Sequence, residues 1–188
     1  MIHQGRWSVL ISNITTGPTM NFTVNPLSFV FAALAAPSIA VADLRVSFIE
    51  GAPKDRFEIV NIGACALAGS SVLLDLSTSA AGLIFDVTDQ GAGVEVFQPL
   101  EIVAGAEALV ATPAVQDGQN QIQFDIASLS PGQAIGFTID VDDTRGTRAI
   151  TVSRSEIEGA QVVMLGTDAD KAASFTRDAV ADLALDRC

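Results

Sequence analysis

Tyrosine is absent from this chain, His3 and Trp7 are the only residues of their kinds, and cysteine occurs twice. Both His3 and Trp7 fall in the first 42 residues, so from Asp43 onward there is no His, Trp or Tyr. Without histidine, that part of the chain cannot assemble a Ser-His-Asp or Cys-His nucleophile. Two distant cysteines with no histidine cannot supply the four ligands of a zinc site. No G-x-S-x-G, P-loop or dinucleotide-binding fingerprint is present. Carboxylates remain, and glycoside hydrolysis needs only a pair of them. Among 22 acidic residues some pair always falls at a plausible distance, and phenylalanine is the only aromatic left to cradle a sugar. The chain therefore reads as non-enzymatic, with a carboxylate-based glycoside hydrolase as the weaker alternative.

Positive charge is also scarce. Ten basic residues face 22 acidic ones, for a net charge of -12 and a pI near 4.2. A negative field of that size excludes nucleic acid and anionic membrane surfaces as natural partners. It suits cations, basic proteins, or solubility in salty surroundings. The first 42 residues carry no acid at all and only Arg6 among the bases. Within them, residues 27–36 (LSFVFAALAA) form an uncharged apolar run of the length expected for the core of a signal peptide. Pro37, Ser38 and Ile39 break the run, and Ala40-Val41-Ala42 places small residues where signal peptidase reads. The expected organisation is an extraneous N-terminal extension over 1–19, a signal peptide over 20–42, and a mature domain over 43–188. Alternatives are a buried strand or helix at the domain edge, or a membrane anchor. The apolar run is short for a span.

What the mature chain has in abundance is period-two alternation. Ile122, Phe124 and Ile126 alternate with Gln121, Gln123 and Asp125, which places the apolar side chains on one face of a strand. Ser128-Leu129-Ser130-Pro131-Gly132 interrupts with turn-forming residues. Alternation then resumes with Ile135, Phe137, Ile139 and Val141 inward and Gly136, Thr138, Asp140 and Asp142 outward. Similar sets lie at 44–48, 57–61, 70–77, 83–87, 94–98, 108–112, 148–153, 161–165, 171–176 and 179–185. Only 155–159 suggests a helical turn. Short strands at this spacing predict an all-β, antiparallel sandwich with wet outer faces.

The stretch FEIVNIGACALAGSSVLLDL (57–76) carries a strand-Asn-x-Gly-strand pattern, and LSPGQAIGFTIDV (129–141) carries an L-x-P-G strand. Both resemble secreted immunoglobulin-like modules. Residues 55–69 and 82–98 (GLIFDVTDQGAGVEVFQ) are similar to small secreted bacterial proteins labelled "aggregation factor core" proteins. That resemblance covers most of the mature chain and implies an immunoglobulin-like sandwich with a calcium-dependent adhesion theme. Its motifs are structural, so it assigns no catalytic or ligand residues.

Cys65 and Cys188 read as one disulfide if the chain is exported to an oxidising compartment. The bridge would close a loop of 123 residues, a constraint of about 4–5 kcal/mol in the chain-entropy account. The alternative is two free thiols. Asp140 and Asp142, about 6.6 Å apart along one strand, and Asp143 at the following turn are the candidate metal ligands. Asp86 and Asp89 form a similar pair. Hard carboxylate oxygens at a loop end suit Ca2+, the one candidate cofactor. The competing reading is solvated strand faces and Asx turns, partly neutralised by Arg145 and Arg148.

The expectation is thus a secreted or periplasmic, non-enzymatic module with a structural or cell-surface adhesion role, calcium assisting. Its partner is a protein or cell surface, including a second copy of itself. No transmembrane segment is expected after signal cleavage. The alternative is a periplasmic binding or accessory protein for a protein partner.

Overall fold

Alternating residues wind the chain into eleven strands in a computed structural model that describes Gly17 and residues 42–89, 97–145, 151–166 and 170–185. From residue 42 onward these lie in one unit, Ser38–Cys188. The extension and signal-peptide expectations fall on 1–42, all but Gly17 and Ala42 outside the described residues. Among the described residues no helix is long and apolar enough to cross a membrane.

The strands are β1 (Ala42–Ile49), β2 (Asp55–Asn61), β3 (Ser70–Asp75), β4 (Leu83–Phe85), β5 (Glu101–Ala104), β6 (Gln121–Ile126), β7 (Ala134–Ile139), β8 (Val141–Asp143), β9 (Gln161–Leu165), β10 (Lys171–Ser174) and β11 (Val180–Leu185). One sheet runs β11-β1-β2-β7-β5, a second runs β10-β9-β3-β6, and β4 pairs with β8 alone. Every pairing is antiparallel. The chain is an all-β antiparallel sandwich, as the alternation predicts.

Phenylalanines mark its centre. Phe48, Phe57 and Phe137 occupy one row across β1, β2 and β7, with Phe57 and Phe137 stacked at a centroid distance of 5.0 Å. Phe124 of the opposite sheet meets Phe137 at 4.6 Å. The buried phenylalanine, leucine, isoleucine and valine side chains are apolar groups withdrawn from water, the main favourable contribution to folding.

Four expectations change. Residues 101–104 form a strand that alternation does not reveal, because Glu101 and Val103 are exposed and a bulge follows Ile102. At 108–112 a 3-10 turn (Ala106–Ala108) replaces the strand, leaving Leu109 in a single bridge to Ile126. Residues 151–153 are not strand, because Glu156 accepts from both the amide and the hydroxyl of Ser153 and holds a turn there. Residues 148–150 and 94–96 lie outside the described residues, and 97–98 are extended but unassigned to a strand. The fourth is the strand through Asp140. It divides, with β7 in the five-stranded sheet and β8 on β4, and this division builds the site below.

The two resembling motifs meet at one corner. Asn61, fully buried at the end of β2, donates from Nδ2 to the carbonyls of Cys65 (2.7 Å) and Leu129 (2.9 Å). Its Oδ1 accepts from the Gly63 amide at 3.0 Å. The Asn-x-Gly corner is thereby stapled to the L-S-P-G loop. Cys65, partly exposed beside this corner, is disulfide-bonded. Cys188 is the chain's only other cysteine and lies outside the described residues.

Candidate functional site

Where β7 hands over to β8, three extended segments close a ring of main-chain bonds. The Asp86 amide donates to the Asp140 carbonyl (3.1 Å), the Asp140 amide to Gln98 (3.2 Å), and the Gln98 amide to Asp86 (3.2 Å). The ring fixes Asp86 beside Asp140. The Ile84↔Asp142 pairing brings Asp142 onto the same face, two residues along. Asp55, which opens β2 and pairs with Ile139, stands on the other side of Asp140. The Val141 amide favours the charged form of both the Asp55 and the Asp140 carboxyl.

All these acids are buried. Asp55, Asp86, Asp140, Asp142 and Asp143 are each at most 6 % exposed. That corrects the expectation of a wet face at Asp140 and Asp142. Alternation holds only while a strand stays in one sheet, and the transfer at Asp140 turns both acids inward. Asp89 is exposed, so it separates from Asp86. Arg145 is exposed beside Gly82, and Arg148 lies outside the described residues.

Burial sets the electrostatics. Asp55 is pushed up to about 7 by desolvation, opposed by the Gly51 amide and reinforced by the negative charge of Asp140. Asp140 is raised to about 7 by desolvation and then by Asp142. Asp86 also reaches about 7, through desolvation, the adjoining Asp117 carboxyl, and the charges of Asp142 and Asp140. Neither carboxyl oxygen of Asp86, nor Oδ2 of Asp140, has a hydrogen-bond donor. Leaving such a group ionised costs several kcal/mol, so the neutral acid is the form this environment favours.

Among the described residues no group of three or more His, Cys, Asp or Glu side chains could hold a metal ion. The structure gathers Asp140 and Asp142 with Asp55, Asp86 and Asp117. Sequence reasoning missed Asp55 and Asp117. Asp55 was legible in principle, since it occupies the inward phase shared by Phe57 and Ile59. Asp117 had no periodic signal, because it lies in a loop. There its Oδ1 accepts from the amides of Val87 (2.8 Å) and Thr88 (3.0 Å).

A second feature lies on the outer face of the four-stranded sheet. Val72, Leu74, Val162 and Met164 point into the core, so Leu73, Val163 and Leu165 point outward. Register aligns Ala172, Val163, Leu73 and Gln123 in one row across β10, β9, β3 and β6. A polar row of Gln161, Asp75 and Gln121 borders this stripe on one side, and a row of Leu165, Ser71 and Asp125 borders it on the other. Burial alone would raise Asp75, but bonds from Ser77 and Gln121 outweigh it and hold the carboxyl below its ordinary range. Asp125 is held low by Ser71 and Gln123. Both flanking acids are thus already engaged.

No protein-family model, curated protein or solved structure matches this chain.

Proposed function

We propose that this protein is an exported, non-enzymatic β-sandwich that acts as an adhesion module at or beyond the cell surface, through contact with a second copy of itself. The observation that carries the reading is the outward row of Leu73, Val163 and Ala172, with Leu165 beside it in the row of Ser71 and Asp125 and a polar row of Gln161, Asp75 and Gln121 on the other side. Half-buried apolar side chains in the middle of a sheet, bordered by polar groups, have the anatomy of an interface core and its rim. A face of this kind can pair with itself about a two-fold axis, because each copy offers the same row. Asp75 and Asp125 support the choice of a like partner. Their charges are solvated locally, so apposing two acidic molecules there does not strand new carboxylates. Burial of Asp55, Asp86, Asp140, Asp142 and Asp143 favours the same reading, since these acids are withdrawn into the scaffold and out of a substrate's reach.

Beads coated with the protein test this reading. Wild-type beads clump, and beads carrying Leu73→Lys stay dispersed, because the substitution places a charge in the middle of the stripe. Equal clumping by both would remove the stripe from the mechanism.

A further inference from the structure

Four buried side-chain atoms meet no hydrogen-bond partner among the described residues, and three of them are carboxyl oxygens of one pair of acids. They are both oxygens of Asp86, which is 1 % exposed, and Oδ2 of Asp140, which is 6 % exposed. Register makes the two acids neighbours. β4 pairs with β8 through Phe85 and Val141, and the Asp86 amide carries that ladder one step further, to the Asp140 carbonyl. Residues opposite each other on antiparallel strands project to the same side, with Cβ atoms about 5 Å apart. The three oxygens therefore gather in one place, shut from water and with no donor to satisfy them. Native folds rarely leave buried polar atoms in that condition, and a bound ion is one of the few things that satisfies them.

We propose that Asp86 and Asp140 together hold a single Ca2+ ion, which bridges the end of β4 to the β7–β8 junction. The donor set selects the ion. Its atoms are hard carboxylate oxygens, and no histidine follows His3 to offer nitrogen. Two carboxylates carry two negative charges, which a divalent ion balances and sodium does not. Magnesium demands near-octahedral geometry and sheds its water reluctantly, whereas calcium accepts irregular oxygen sites. A third acidic ligand does not come within reach among the described residues, so main-chain carbonyls and water complete the shell. Asp142, on the same face opposite Ile84, stays outside that shell and adds negative potential that draws the ion in.

The ion also removes the cost of ionising buried acids. With calcium bound the two carboxylates are charged, and with calcium withheld they keep the protons that burial favours. A way in lies close by. Val87 and Thr88 follow Asp86, Pro99 and Leu100 follow Gln98 of the same main-chain ring, and all four line a shallow concavity at the surface.

Thermal midpoints of the full-length protein in calcium and in chelator, at about pH 8 where protons compete least, test the site together with calorimetric titration of the ion. The wild type binds one calcium per chain, and its midpoint rises by several degrees in calcium because the ion binds only the folded form. Asp86→Asn sets a donor beside Asp140 and removes one charge, so it melts no lower than the wild type in chelator and loses the calcium rise. Asp140→Asn loses the rise as well. Leu73→Lys, on the outer face, keeps it, so the fate of self-association does not decide this test. Identical wild-type midpoints in calcium and in chelator overturn the inference. So does a rise that survives Asp86→Asn, or one that magnesium matches, since either marks screening of the acidic surface.

Discussion

Asp86 and Asp140 sit side by side because the amide of one donates to the carbonyl of the other, at 3.1 Å. Like charges placed together on neighbouring strands are destabilising, and burial removes the water that would soften the repulsion. The molecule accommodates the pair by keeping it short of full ionisation.

Stability falls as pH rises from mildly acidic to neutral. Asp55, Asp86 and Asp140 have folded-state values near 7, above the unfolded aspartate value of about 3.9. Between these limits the folded chain binds more protons than the unfolded one, so unfolding free energy declines with rising pH. This contribution is complete below about pH 4 and is lost as pH passes through 7. Ordinary surface carboxylates such as Asp182, held low chiefly by its bond to Arg45, act in the opposite sense. Thermal midpoints measured from mildly acidic to alkaline buffer check the sign. A midpoint that rises between about pH 5 and about pH 7 contradicts the assignment.

The Asn61 staple is a second point of sensitivity. Asn61→Ala removes both Nδ2 donors and the Oδ1 acceptor, although the Leu129 carbonyl still accepts from the Leu67 amide and the Gly63 amide still donates to the Asp43 carbonyl. Losing these side-chain bonds inside the fold costs about 1–3 kcal/mol, read as a loss of that size in urea unfolding. Asn61→Asp retains the acceptor but loses both donors and buries a charge, and it fares no better.

Phe137 touches both sheets through Phe57 and Phe124. Truncation to alanine leaves a cavity that neither sheet can close, at a cost of about 3–5 kcal/mol. Val110→Ala, at an exposed position, shifts stability by no more than about 0.5 kcal/mol. Equal effects from the two would contradict the placement of the core.

Cys65 is disulfide-bonded beside the Asn61 corner, and Cys188 is the partner we propose. Cys65→Ser, or reductant, lowers unfolding free energy by about 2–5 kcal/mol. Peptide mapping under non-reducing conditions identifies the partner, and a peptide linking 65 to 188 is the expected product.

Much of this architecture is written in period two, and the inward rows of β2, β3, β6, β7, β9 and β11 can be read almost directly. Legibility stops where the chain leaves a sheet. Asp140 and Asp142 continue the outward phase of β7 in sequence, yet the handover to β8 buries them. Such a transfer depends on Leu83, Ile84 and Phe85, which pair with Asp143, Asp142 and Val141 from far earlier in the chain, and no local pattern records that. Strand β5 escapes for a different reason, being short, bulged and exposed on most of its length. The acid cluster was visible only as acids. Its chemistry depends on how Asp55, Asp86, Asp117 and Asp140 converge from four separate segments.

Sedimentation velocity over a range of protein concentrations, on the wild type and on Leu73→Lys, tests the proposed adhesive role most directly. The account predicts a wild-type sedimentation coefficient that rises with concentration and a variant that stays monomeric with an unchanged thermal midpoint. A wild type that remains a monomer throughout would contradict self-association through the outer face of the four-stranded sheet.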